Sequence, residues 1–82
     1  MTYYLEKIRT NIKLFGKPRI KNNDIVLADR VSGKVQIEKI TSSGDVEILK
    51  ELQFKGNADT AYISDKFYLV PLGYQGLAKI NK

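Results

Sequence analysis

Residues 24–40 read Asp24-Ile25-Val26-Leu27-Ala28-Asp29-Arg30-Val31-Ser32-Gly33-Lys34-Val35-Gln36-Ile37-Glu38-Lys39-Ile40. Ile25 to Val31 is rich in β-branched and apolar residues. Lys34 to Ile40 alternates Val35 and Ile37 with Gln36 and Glu38, which is the period of a strand with one buried face. Ser32-Gly33 between them has the composition of a two-residue hairpin turn, in which glycine supplies the positive φ that the turn requires. An antiparallel hairpin is therefore the nucleus of the expected fold.

Working outward, the same grammar repeats toward the C-terminus. Thr41 to Asp45 is a turn sequence. Val46, Ile48, Leu52 and Phe54 then alternate with Glu47, Leu49, Glu51 and Gln53, with an interruption at Lys50. Lys55-Gly56-Asn57 breaks that strand, Thr60 to Ile63 is a short one, and Ser64 to Lys66 turns into the continuous apolar run Phe67 to Val70, which has the look of a strand buried on both faces. Pro71 stops the ladder or marks an edge. Gly73-Tyr74-Gln75-Gly76 reads as a loop and Leu77 to Ile80 as a closing strand. The expected core is Val26, Val35, Ile37, Ile48, Leu52, Phe67, Leu69 and Leu77.

Toward the N-terminus the pattern is ambiguous. Tyr4, Leu5, Ile8, Ile12 and Phe15 share one face of a helix, with Thr2 placed to cap it and Gly16 to end it. Ile8, Thr10, Ile12 and Leu14 equally alternate as a strand would. Gly16 to Asp24 reads as a basic loop, since Pro18 disfavours the helical conformation at Lys17 and Asn22, Asn23 and Asp24 form turns. The expected fold class is mostly β, a small antiparallel sheet or barrel of about five to six strands, or α+β should residues 2–15 form one short N-terminal helix. The whole of 1–82 is expected to be a single small domain, with a basic N-terminal segment 1–23 and a β-rich body 24–82.

Charge divides the chain at the same place. The net charge of +5 arises entirely before Asp24, where Lys7, Arg9, Lys13, Lys17, Arg19 and Lys21 face the single acid Glu6. From Asp24 onward eight bases are matched by eight acids. One-signed charge repels itself unless a partner screens it, so the arm is expected to meet something anionic. Bases contact phosphates and tyrosines stack on bases, which makes Lys7, Arg9, Lys13, Lys17, Arg19 and Lys21, with Tyr3 and with Tyr74 at its loop tip, the candidate nucleic-acid-binding residues. The compensated lysines of the body, Lys50, Lys66 and Lys79 among them, are not expected to contribute.

Composition argues against chemistry. Cysteine and histidine are both absent, which removes disulfides, thiolate nucleophiles, Ser-His and Cys-His pairs and the commonest metal ligands. Neither a phosphate-cradling glycine motif nor a close pair of carboxylates occurs. No catalytic residue, metal or cofactor is expected, and the chain is read as a non-enzyme. No apolar run approaches membrane-spanning length and the N-terminus lacks the order of a secretion signal, so the expected location is cytoplasmic.

The hairpin of residues 24–40 resembles that of the LexA/UmuD self-cleaving family, whose second strand carries a general-base lysine. The likeness covers about a fifth of the chain. Glu38 stands where that lysine belongs, Lys39 falls one residue later on the opposite face, and no nucleophile segment precedes it. The resemblance is one that any hairpin with this turn shares, and no family follows from it. Two functions remain: a nucleic-acid-binding module, or a protein-interaction or regulatory module, such as an accessory protein of a bacterium or mobile element. The second would dock through an exposed β edge or the N-terminal apolar stripe on an acidic protein surface or a second copy.

Overall fold

The structure, a computed structural model, describes residues 16–82. It shows two small antiparallel sheets. The first contains β1 (Arg19–Lys21), β2 (Asp24–Ala28), β3 (Lys34–Ile40) and β4 (Val46–Gln53) in sequential order. The second contains β5 (Tyr62–Ile63), β6 (Phe67–Pro71) and β7 (Leu77–Asn81), with a 3-10 turn at Gly73–Gln75 joining the last two. Mostly-β architecture is thus as the alternation implies, with seven strands among the described residues. The helix-or-strand question at residues 2–15 lies outside them.

The core forms where the inner faces of the two sheets meet. Val26, Ala28, Val35 and Ile37 from the first pack with Ile63, Tyr68 and Val70 of the second, with Leu72 just past β6 and with Ala58 and Ala61 of the segment before β5. The rims of the sheets are tied by side chains. Arg19 and Lys21 of β1 reach carbonyls beside and within β5. On the other side Lys50 Nζ of β4 donates to the Asn81 carbonyl at 3.2 Å. Lys82, just past β7, pairs with Asp24 of β2, and this hydrogen bond raises its ammonium pKa.

Four expectations are corrected by this packing. The hairpin turn is longer than two residues: β2 ends at Ala28, and Asp29–Gly33 loops out before β3. Asp29 anchors the loop, its carboxylate accepting the backbone N–H of Val31 (2.9 Å) and Ser32 (3.2 Å) while its carbonyl accepts that of Gly33 (2.9 Å). Gly33 has the positive φ expected of it, 77°. The observed Ala28–Val35 pairing lies two residues from the register of a two-residue turn, a slip that leaves every side chain on its intended face.

Second, Ile48 is half exposed. The register between β3 and β4 shifts after Ile37–Lys50, so that Glu38 pairs with Ile48 and Leu49 is the extra residue of a β-bulge. The bulge sends Val46 and Ile48 to the outer face while Leu52 stays against the core. The sequence interruption near Lys50 marks this irregularity, but even spacing alone had placed all three on one face.

Third, Phe67 to Val70 is not buried on both faces. Tyr68 and Val70 point inward opposite Ile80 and Ala78, whereas Phe67, Leu69 and Leu77 of the expected core lie outward, Leu77 67% exposed. A run of four apolar residues carries no information about which face wins, and the partner sheet decides it. Pro71 ends β6 beyond the reach of β5, so no ladder bond is lost to it.

Fourth, the expected basic loop contains β1, which pairs with β2 through Arg19–Val26, Ile20–Ile25 and Lys21–Asp24. The turn between them is tight, with Asn22 at φ 55°, a conformation asparagine tolerates. Just before β1, a Cβ on Gly16 would stand 1.9 Å from the Asp59 carbonyl oxygen, so only glycine fits that approach.

Candidate nucleic-acid interface

Strand β1 pairs only with β2 among the described residues, and Arg19 and Lys21 point to the same side of it because they are two residues apart. Both extend toward the edge of β5 that faces away from β6. Arg19 Nε donates to the Ala61 carbonyl and Lys21 Nζ to that of Ile63, each at 3.2 Å. The two edges run in the same direction, so the long side chains bridge a gap that the backbones do not close. The opening between them, about 370 Å³, is lined by Pro18, Arg19, Ile20, Lys21, Ala61, Tyr62 and Ile63.

These contacts consume little of the cationic capacity. A guanidinium has five N–H donors and an ammonium three, so one bond each among the described residues leaves Arg19 and Lys21 with further donors that can face a phosphate. Lys17 is held nearby through its backbone N–H, bonded to the Asp59 carbonyl. Lys17, Arg19 and Lys21 are all exposed.

An aromatic element unforeseen in the sequence adjoins the cations. Tyr62 is 56% exposed, and Lys21 Nζ lies 5.9 Å from its ring centroid. The Tyr62 and Phe67 rings are 6.4 Å apart and tilted at 45°, and Lys79 Nζ sits 4.9 Å over Phe67. Lys79, assigned to the compensated body by charge counting, therefore belongs to this surface. The clue in the sequence was Ala61-Tyr62-Ile63, whose alternation leaves the tyrosine outward when the small and branched neighbours turn in. For Phe67 there was no clue.

Tyr74 occupies a different place. It is fully exposed on the 3-10 turn, beside a depression of about 430 Å³ lined by Gly56, Asn57, Leu72, Gly73 and Gln75 besides Tyr74 itself, without a cation. Of the candidate residues, Arg19 and Lys21 are brought together at the β1–β5 opening, Lys17 precedes them in the chain, and Tyr74 is not brought to them. Tyr3, Lys7, Arg9 and Lys13 lie outside the described residues.

Among the described residues no helix is long and apolar enough to cross a membrane, and no group of three histidine, cysteine or acidic side chains is placed to hold a metal ion. No known family model, curated protein or solved structure matches the chain.

Proposed function

We propose that the protein is a non-enzymatic nucleic-acid-binding module whose phosphate contacts come from Lys17, Arg19 and Lys21, joined by the basic residues Lys7, Arg9 and Lys13 that precede them. The observation that carries this reading is the alignment of Arg19 and Lys21 across the β1–β5 opening with an exposed tyrosine ring at its rim. Fixed cations with spare donors beside a stackable ring suit a strand of phosphates and bases.

The test is the salt dependence of oligonucleotide binding. Replacing Lys17, Arg19 and Lys21 together with glutamine should weaken binding and flatten the log–log salt slope by about 0.7 to 0.9 per lost contact. Glutamine retains a donor that can serve the Ala61 and Ile63 carbonyls, and a melting curve establishes that the variant folds. Lys55→Gln, on the loop beside Gly56, should leave the slope unchanged.

A protein-interaction module is the second reading, favoured by the outer edge of β4. That strand pairs only with β3 among the described residues, and Ile48 and Leu49 at its bulge are each about half exposed. Light scattering that shows association through this edge, without oligonucleotide binding at low salt, would select it.

A further inference from the structure

Resting on the nucleic-acid reading, we propose that the outer face of the three-stranded sheet is a base-stacking platform for single strands, with Tyr62 and Phe67 as its rings. Register places Tyr62, Leu69 and Lys79 side by side across β5, β6 and β7, and the period of two adds Phe67, Pro71 and Leu77 to the same face. The opposite face, with Ile63, Tyr68 and Val70, is buried in the core. An apolar and aromatic sheet surface with Tyr62 and Leu77 more than half exposed is the kind of surface on which a ligand can dock.

Three features select single-stranded nucleic acid as the occupant. The charge is complementary, since Lys21 and Lys79 flank the rings and no acid lies among the strand residues of this face; Asp65 is in the adjoining turn. The ring spacing of 6.4 Å is nearly twice the roughly 3.4 Å per nucleotide of a duplex strand, so the rings match successive bases of a drawn-out strand and not of a stacked helix. The rings also lie on a sheet face, where they meet only bases that have left a duplex stack.

The two lysines now cover the rings they would yield. An exposed lysine–ring contact is weaker than base–ring stacking, so a base displaces each ammonium, and the released cation turns to the neighbouring phosphate. The platform is continuous with the β1–β5 opening through Lys21, which gives one path from the phosphate-binding cations onto the sheet.

The experiment compares three probes of equal length by fluorescence anisotropy: oligodeoxythymidine, the same strand made fully abasic, and a duplex. The expected order is the base-bearing strand tightest, with Tyr62→Leu and Phe67→Leu each weakening it about 5- to 150-fold and leaving the salt slope and the abasic affinity unaltered. Leucine keeps apolar bulk at the half-buried Phe67, and a 2-aminopurine in the strand should lose fluorescence on binding to the parent protein but not to Tyr62→Leu. Abasic or duplex probes that bind as tightly as the base-bearing strand, or leucine variants that bind it unchanged, would overturn the platform and leave the phosphate reading standing. Failure of all three probes to bind at low salt would overturn both.

Discussion

The outer faces of the two sheets make an instructive pair. On the four-stranded sheet the outer face buries Ile25 and Leu27, with Ile40 and Val46 packed against them, and it also buries Gln36 and Glu38. On the three-stranded sheet the outer face leaves Tyr62 and Leu77 mostly in solvent and sets lysines over Tyr62 and Phe67. Both sheets contain strands that are apolar on both sides, β2 in one and β6 in the other. Strand β2 is buried on both sides and β6 on one, which shows that doubled apolar character tells how much a strand can bury and not how much it does. The surplus on β6, Phe67 and Leu69, stays partly in solvent.

If the first sheet chiefly carries stability and the second carries binding, perturbations should sort accordingly. The largest effect is expected from Ile37→Ala, which empties a fully buried site between the sheets and should cost about 2 to 5 kcal/mol in denaturant unfolding. Tyr62→Ala in the same measurement should stay within about 0.5 kcal/mol. A Tyr62 variant as unstable as Ile37→Ala would break the distinction, because the ring would then be a packing residue.

Gly33→Val comes next. The new Cβ would stand 2.2 Å from the Phe54 carbonyl oxygen at a φ of 77°, combining a backbone clash with left-handed strain. A loss of about 3 kcal/mol or more is expected from the melting transition. Gly44→Ala, also at positive φ but with open space around it, should cost only about 1 kcal/mol. Equal effects at the two sites would show that strain, and not the close approach of the hairpin loop to β4, controls the first sheet.

A smaller effect separates the two exposed tyrosines. Tyr62→Ala should weaken single-strand binding by about 1 to 3 kcal/mol, while Tyr74→Ala, on a turn without cations, should change it by less than about 0.5 kcal/mol. The reverse order would move the site to the 3-10 turn.

The smallest is a pH effect on the buried outer face. Burial raises the carboxyl pKa of Glu38 above its ordinary value. A carboxyl whose folded pKa is raised binds its proton more readily in the native state, so its contribution becomes unfavourable as pH climbs from the ordinary carboxylate value through the raised one. Glu38→Gln should therefore melt higher than the parent at neutral pH, with the advantage disappearing at acid pH. A gain that persists unchanged in acid would assign the effect to packing. No comparable pH response is expected for Tyr62→Ala.

Much of this molecule follows from local rules that the residues carry by themselves. Alternation at Val35 and Ile37, the turn residues between the strands, and a glycine at position 33 require strands joined by turns and a positive φ there, because the period of two and the absence of a Cβ act within a few bonds. The exclusion of cysteine and histidine chemistry and the excess of positive charge before Asp24 are likewise properties of composition. What only the tertiary structure decided depends on partners far away in the chain. Whether Phe67 or Tyr68 turns inward was settled by the sheet that packs on β6. Whether Ile48 shares a face with Leu52 was settled by a bulge opposite β3. That Arg19, Lys21 and Tyr62 form one surface was settled by the meeting of two edges 42 residues apart. Periodicity records that a strand has two faces; burial against a specific neighbour is what gives each face its role.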